Sequence, residues 1–501
     1  MYFNTLSHFV KFFLTEYSIA VILTLILDER SDPRLLGKIS LTGVFLFLFH
    51  RMHGNVSETE IYRTCQSIKE VMIMISISKF SYDNPRYKNL LARGSSIPEE
   101  VERTVKEVLK NVKERGDEAL YEYMQTFDRV DIGKIGLMVT EEEFAIAREK
   151  VADSFKDAVQ KACANLFLFH KRQVSTGFTE TYDNGAVMER KYTPLNSVAV
   201  TVPGNMAPLI STLCMNLVPA LVAGVPNIYI LTKPKADGSI DERLLYVADY
   251  LGVKNFYKIC GSQGLAAVAY GTQTVKKVDA ITGPGNNYTQ MTKKLLFGEV
   301  KIDSIAGPSE IAIIADEKAN PTFIAADMMS QAEHGTGFEA STTFCTSWDQ
   351  AEAIKAEVNR LCAENSLVDA TAKSFENYGD IFVVDSLQEA VEAVNKLAPE
   401  HAEILAEEAE TLLPGLTNAG AVFVGEYSTE PVGDYFCGTN HILPTCGTAR
   451  FSSGMSVQEF MRGYSVIRYP ENALKENADS IIELAKAEGM YAHALAVKVR
   501  K

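Results

Sequence analysis

Residues 197–231 read SVAVTVPGNMAPLISTLCMNLVPALVAGVPNIYIL. A short β-branched run is followed by a loop carrying Pro and Gly, then by an apolar helical stretch from about Leu209, then by a second apolar run at Asn227. Strand, loop, helix, strand is the pattern of a βαβ unit, whose two strands lie parallel. The series continues with FYKIC (256–260) and VDAIT (278–282), separated by helical segments near 240–251, from Gln263 and from Asn286 onward. A second series follows: EIAIIA (310–315), a helix across 321–334, STTFCT (341–346), a helix over 348–364, DIFVVD (380–385), a helix over 386–397 and AVFVG (421–425). The expected fold class is therefore α/β, with two Rossmann-like parallel-sheet modules flanking a cleft, plus small helical N- and C-terminal segments. Ligands of such folds usually sit in that cleft.

Upstream, PEEVERTVKEVLKNVKERGDEALYEYMQTF (98–127) sets Val101, Val105, Val108, Leu109 and Val112 at helical spacing behind an acidic first turn, then breaks at Gly116-Asp117. A further helical stretch covers about 141–172, and the chain from Ser456 reads as wholly helical. The domain boundaries expected are 74–95 as an N-terminal segment, 96–202 with 309–450 as a discontinuous first α/β domain, 203–308 as a second α/β domain on the cofactor side, and 456–501 as a C-terminal helical tail.

The 501 residues carry 49 Lys+Arg against 64 Asp+Glu, a formal charge of −15, which argues against a nucleic-acid partner. An apolar content of 47% supports two or more ordinary cores, and the bulk composition is that of a soluble globular enzyme, expected in the cytoplasm. Eight cysteines are scattered without a CxxC pair, so spacing suggests neither a thiolate zinc site nor a redox pair.

The first 73 residues differ from the rest. Tyr17–Leu27 and Leu41–Phe49 are apolar, but each falls short of the roughly 18–20 residues that span a bilayer, so no membrane partner is expected. Lys69-Glu70-Val71 just before Met72 and Met74 is what a purine-rich ribosome-binding site gives when translated in frame. Residues 1–73 are accordingly expected to be a non-native upstream extension, with the biological start at Met72 or Met74.

Several short segments could carry chemistry. TGPGNN (282–287) and VPGNMAP (202–208) each follow a strand and open a helix, where backbone N–H groups can hold an anion, although a Gly-Pro-Gly turn is more often only a turn. No GxGxxG fingerprint occurs. In SQAEHG (330–335), Gln331 and His334 share a helix face and could reach one metal ion; a histidine favoured by the dipole at a helix C-terminus is an equal reading. In APEH (398–401), Pro399 would start a helix with Glu400 and His401 in its first turn, a carboxylate beside an imidazole suited to two different proton transfers. GDYFCGTNHILPTCGTARFSSG (433–454) holds Asp434 and His441 in a long irregular segment, and EGMYAHA (488–494) holds Glu488 and His493 near the chain end. A Gln, two His and an Asp form an N/O ligand set suited to zinc, though spacing alone does not bring them together.

AGPSEIAIIAD (306–316), SQAEHG, APEH, the 433–454 run and EGMYAHA, in that order and at those intervals, resemble the histidinol dehydrogenase family over essentially all of 90–501. The resemblance implies oxidation of L-histidinol to L-histidine in two NAD-dependent steps through an aldehyde, by a homodimer with one Zn2+ per site. It implies Gln331, His334, Asp434 and His493 as zinc ligands. His401 would take the alcohol proton and Glu400 would activate the water that adds to the aldehyde. Ser309 and Glu488 match substrate contacts, alongside the metal and base residues. Gln263 and Asn286 match NAD contacts. The tail would be exchanged between subunits, placing Glu488 and His493 in the partner's site. Two departures stand out. Thr201-Val202-Pro203-Gly204-Asn205 replaces the usual Tyr-Val-Pro-Gly-Gly, whose Tyr lies near NAD, and Thr336-Gly337-Phe338 replaces Pro-Asp-Ser near the substrate side. They keep open the same chemistry on another small polar alcohol, such as a sulfopropanediol. A zinc hydrolase using Glu400 and a non-catalytic binding protein are the rivals from other classes.

Overall fold

The computed structural model describes residues 75–94, 97–203 and 208–501. The upstream stretch 1–73, the expected start at Met72 or Met74, and residues 204–207, including Asn205, lie outside the described residues. The described strands, in chain order, are β1 (Ser76–Lys79), β2 (Phe178–Thr181), β3 (Val187–Pro194), β4 (Ser197–Val202), β5 (Asn227–Thr232), β6 (Asn255–Tyr257), β7 (Ala280–Thr282), β8 (Lys301–Ile302), β9 (Glu310–Ala315), β10 (Ala340–Cys345), β11 (Gly379–Val383), β12 (His401–Leu405), β13 (Ala421–Val424) and β14 (Met461–Arg468).

Two parallel sheets organise them. The five-stranded sheet runs β6-β5-β4-β7-β8 and the six-stranded sheet runs β1-β11-β10-β9-β12-β13. Apart from β1, both have the order third, second, first, fourth, fifth of their own series, which is the doubly wound dinucleotide-binding order without its sixth strand. The expected α/β class with two Rossmann-like modules is thus what the chain adopts. Buried strands such as β9 (EIAIIA) and β10 (ASTTFC) are covered on both faces, which is why they read as continuous runs rather than alternating ones.

The helices follow local rules. Glu99–Arg115 has Glu99, Glu100 and Glu102 in its first turn and Lys113 and Arg115 in its last, complementing the helix dipole, and ends at Gly116 with φ of 60°. Its valines join Ala199, Leu231, Tyr257 and Leu265 in one core, so this helix lies on the five-stranded sheet. Glu141–Lys150 begins with a reciprocal capping box between Thr140 and Glu143. Pro321–Ala332 starts with Pro321 in its first turn, under an Asn320 cap, and buries Ile324, Ala325, Met328, Met329 and Gln331.

Three expectations need correction. First, β4 is hydrogen-bonded between β5 and β7, and the helices of 99–170 pack on that sheet, so 96–202 does not group with 309–450. A strand followed by a crossover helix pairs with its own series, and SVAVTV opens that series. Second, Glu400 and His401 do not start a helix. Ala398 adopts a left-handed φ of 49°, the chain turns, and His401 begins β12, which lies between β9 and the edge strand β13 of the six-stranded sheet. Burial between β9 and β13 overrides the helical propensity of Ala and Glu. Third, the tail is not helical throughout: β14 pairs antiparallel with β3 from Met461↔Pro194 to Arg468↔Val187, and β2 completes a three-stranded sheet. Helices Glu471–Ala487 and Tyr491–Lys498 follow. Among the described residues no helix is long and apolar enough to cross a membrane.

Phe344 on β10 is fully buried and stacks on Phe382 of β11 at 5.2 Å between ring centroids. Phe344→Ala is expected to lower unfolding free energy by about 3–5 kcal/mol in a denaturant titration; a loss under about 1 kcal/mol would show that this face of the six-stranded sheet is loosely packed.

Candidate active site

The expected catalytic pair lies at the amino edge of the six-stranded sheet. Glu310 and His401 are the first residues of neighbouring strands β9 and β12. Doubly wound folds usually bind ligands at the carboxyl edge, so this location was not the one the fold pattern favours. The helix Pro321–Ala332 runs back from β9 and delivers Gln331 to the same edge, and the short helix Glu430–Tyr435 delivers Glu430 and Asp434.

The backbone of Glu310 holds both members of the pair. Its N–H donates to Glu400 Oε2 at 3.2 Å, and its carbonyl lies 3.2 Å from His401 Nδ1. A carbonyl only accepts, so Nδ1 carries the proton and Nε2 presents its lone pair. That Nε2 is 3.8 Å from Glu430 Oε1 and 3.7 Å from Asp434 Oδ1. His334 is anchored the same way, with Nδ1 at 3.2 Å from the Gln331 carbonyl, which leaves its Nε2 as the outward ligand atom. The Glu310 side chain fixes the strand start in turn: it pairs with Arg93 Nη1 at 2.8 Å and accepts from the Cys446 N–H at 2.7 Å.

Burial dominates the electrostatics. Glu400 is raised well above the usual carboxylate range, first by burial and then by the charges of Glu310 and Glu430. Glu403 is likewise raised, by burial and by Asp327. Burial and then the Glu430 charge push Asp434 up to about 9, and burial pushes His401 down to about 3 and His441 to about 4.

Six buried atoms here have no hydrogen-bond partner among the described residues: Gln331 Oε1, His401 Nε2, Glu403 Oε2, Glu430 Oε1, Asp434 Oδ1 and His441 Nε2. Each is a type of atom that offers a lone pair, and each would cost free energy if left unmade. Candidate ligand atoms of His401, Glu430 and Asp434 lie within 4.8 Å of one another. A divalent cation with a taste for N and O ligands answers that arrangement, so the residues present fit zinc.

The structure thus brings Gln331, Glu400, His401 and Asp434 together, with Ser309 hydrogen-bonded to the Glu400 side chain and His334 one turn beyond Gln331. It does not bring Glu488 or His493 there within one chain: Glu488 caps one exposed tail helix and His493 sits exposed on the next. Glu430 and Glu403 were missed. The spacing of Glu430 and Asp434, four apart in STEPVGDY, puts both acids on one helix face and was a signal available to find the first. Glu403 carried no such signal, because its neighbours are distant in sequence.

The expected cofactor residues sit at the carboxyl edge of the five-stranded sheet. Thr201 near the end of β4 is buried and within 3.3 Å of Cys260 Sγ. Gln263 donates to Asp128 Oδ2 at 2.8 Å, and Asn286 caps the helix Asn287–Leu296 by accepting from the Tyr288 and Thr289 N–H groups. Gly283, after β7, has φ of 107°, and a Cβ there would lie 2.2 Å from the Thr201 carbonyl oxygen, so this turn requires glycine. The departure at 336–338 forms a turn around the Glu339 carboxylate, which accepts from Thr336 Oγ1 and from the Gly337 N–H.

A sequence model of the histidinol dehydrogenase family matches residues 91–501. The histidinol dehydrogenase of Geobacillus kaustophilus (strain HTA426) is 46% identical over 403 residues, 80% of this chain and 94% of that protein. That of Bacillus subtilis (strain 168) is 43% identical, over 80% of this chain and 94% of its own length. The crystal structure of histidinol dehydrogenase from Elizabethkingia anophelis superposes with a TM-score of 0.80 at 33% identity, covering 85% of this chain and 98% of that one.

The site makes a pH-dependent prediction. A carboxyl whose folded pKa is raised to about 9 keeps a proton that the unfolded chain has lost, so the stability this confers is lost as pH rises through about 9. The lowered histidines cost stability only below their unfolded value of about 6.5. Between pH 7 and 8, below the range where buried thiols such as Cys345 and Cys446 begin to contribute with the same sign, the raised carboxyls dominate, at up to about 1.4 kcal/mol per pH unit for each proton. Chelator-treated protein should show a falling Tm over that window, and saturating Zn2+ should remove the fall by favouring the ionised carboxylates. Parallel Tm curves with and without Zn2+ would contradict the cluster as a cation site.

Proposed function

The chain belongs to the histidinol dehydrogenase family, and on that premise we propose that it oxidises L-histidinol to L-histidine through the aldehyde, with one zinc ion held by Gln331, His334, Asp434 and His493 of the partner subunit. As a member of that family it is an NAD-dependent oxidoreductase. The observation that supports the zinc assignment is the gathering of candidate ligand atoms of His401, Glu430 and Asp434 within 4.8 Å of one another, with Gln331 Oε1 also buried and unpartnered; of these, Asp434 and Gln331 are assigned to the metal and His401 is kept as the base beside it.

The residues divide the work. His401, neutral and with its Nδ1–H spent on the Glu310 carbonyl, takes the hydroxyl proton at Nε2 as the carbinol carbon loses hydride. Glu400, its Oε2 held by the Glu310 N–H, takes a proton from the water that adds to the aldehyde carbon, and loss of a second hydride gives the carboxylate. Burial, and then the charge of Glu310, raises its pKa well above the usual carboxylate range, which makes it a stronger base than an exposed carboxylate. Ser309 orients Glu400. Zinc, when bound, supplies a Lewis acid that orients the substrate and polarises its oxygen, while NAD supplies the hydride acceptor, twice per substrate. Thr201, Gln263 and Asn286 would meet that cofactor.

We further infer a homodimer. Helix Tyr491–Lys498 buries only Ala494 and leaves Tyr491 and Leu495 exposed, as is Val499 just beyond its end, while Leu484 stands exposed on the helix before it. Such an uncovered apolar face beside an exposed His493 supports a tail that completes the site of a second copy. We place the enzyme in the cytoplasm, with its cofactor pool.

His401→Asn should leave zinc content unchanged and lower turnover by about 10²–10⁴-fold, whereas Asp434→Ala should lose metal and activity together. Metal analysis and steady-state rates of the two variants decide it; loss of zinc from His401→Asn would make His401 a ligand rather than the base.

A further inference from the structure

In a sheet ordered like β6-β5-β4-β7-β8, the side chain just beyond the second strand of the series meets the adenosine ribose of a bound dinucleotide. An acid there takes the 2′-hydroxyl of NAD, and a basic group accommodates the 2′-phosphate of NADP. The second strand of this series is β5, and the residue after Thr232 is Lys233. Taken alone, that lysine has the sign that suits NADP.

The structure supplies an acid from elsewhere. Asp128 Oδ1 lies 3.0 Å from Lys233 Nζ, and its Oδ2 accepts from Gln263 Nε2 at 2.8 Å. Asp128 closes a π-helical turn, Met124–Asp128, and the next residue, Arg129, is a non-glycine in the left-handed region with φ of 60°. Both features are uncommon, cost free energy, and concentrate at functional sites. Here their product is a carboxylate carried to the edge of the sheet. The side chains are 11% and 32% exposed, so the pair lies at the rim of the site rather than sealed in a core. A carboxylate has about four lone-pair positions, and two accepted bonds leave capacity for a ribose hydroxyl.

We propose that Asp128 is the residue that selects NAD over NADP: it neutralises Lys233, accepts a ribose hydroxyl, and repels a 2′-phosphate. The proposal rests on the dehydrogenase reading of this site and specifies its cofactor half.

The test is titration of NAD and of NADP into the full-length zinc-loaded protein, read calorimetrically without turnover, for wild type, Asp128→Asn and Asp128→Asn/Lys233→Met. The asparagine retains an acceptor for Gln263 and removes the charge. The wild type should favour NAD, Asp128→Asn should narrow the NAD-to-NADP affinity ratio by about tenfold or more, and the added Lys233→Met should reverse the gain for NADP. An unchanged ratio in folded Asp128→Asn would overturn the proposal. Should that variant fail to fold, Lys233→Met alone decides: exclusion of NADP should deepen, and unchanged NADP affinity would overturn it. Failure of the wild type to oxidise histidinol would count against the functional reading, while the binding ratio would still decide this one.

Discussion

The candidate site depends on a concentration of buried acceptor atoms with no hydrogen-bond donor turned toward them from the surrounding residues. Gln331, His401, Glu430, Asp434 and His441 each turn an acceptor atom to the interior at the amino edge of the six-stranded sheet. A fold does not retain such an arrangement without a compensating charge, because each unmade bond costs about 1–3 kcal/mol and the penalty grows with ionisation. A bound cation would resolve it. The pKa directions say the same thing in another form: carboxyls are raised and imidazoles lowered wherever the charged form is left without its partner.

The geometry around that cluster is held by backbone more than by side chains. Glu310 uses its N–H to orient Glu400 and its carbonyl to set the tautomer of His401, and both acts require β9 to begin at one fixed place. The buried Arg93–Glu310 pair and the Cys446 N–H anchor that place, so the segment before residue 95 and the loop after His441 both bear on the catalytic pair without reaching the reacting atoms. The cofactor half follows a different logic. There the carboxyl edge of the five-stranded sheet gathers Thr201, Lys233, Gln263 and Asn286 from the ends of successive strands, as doubly wound sheets do. Two repeats of one strand order thus gather their polar side chains at opposite edges, and the proposed function assigns one to chemistry and the other to the dinucleotide.

The βαβ series was legible because buried parallel strands read as short apolar runs and their crossover helices as longer ones; β5, β9 and the helix Trp348–Glu364 lie where those runs lie. What escaped reading depends on contacts distant in sequence. β14 meets β3 across some 270 residues, and nothing local in MRGYSVIR distinguishes a strand from part of a helical tail. His401 reads as helical from Ala398-Pro399-Glu400 and is a strand residue only because β9 and β13 flank it. Gln331 and His334 were legible as a pair at helical spacing, and Asp434 within an irregular segment, but their convergence was not, since it is set by where the helices Pro321–Ala332 and Glu430–Tyr435 end on the sheet. The replacement of an aromatic by Thr201 is visible in sequence; that its hydroxyl turns to Cys260 instead is visible only in the structure.

The central claim is that one site performs two oxidations on one substrate, and the most direct measurement is the stoichiometry of NADH formed per L-histidinol consumed by the zinc-loaded protein, with histidinol as sole substrate. Two NADH for each histidinol, with L-histidine as product, is the result this account predicts. A single NADH with free aldehyde accumulating, or no reduction by folded, zinc-bound protein, would contradict it.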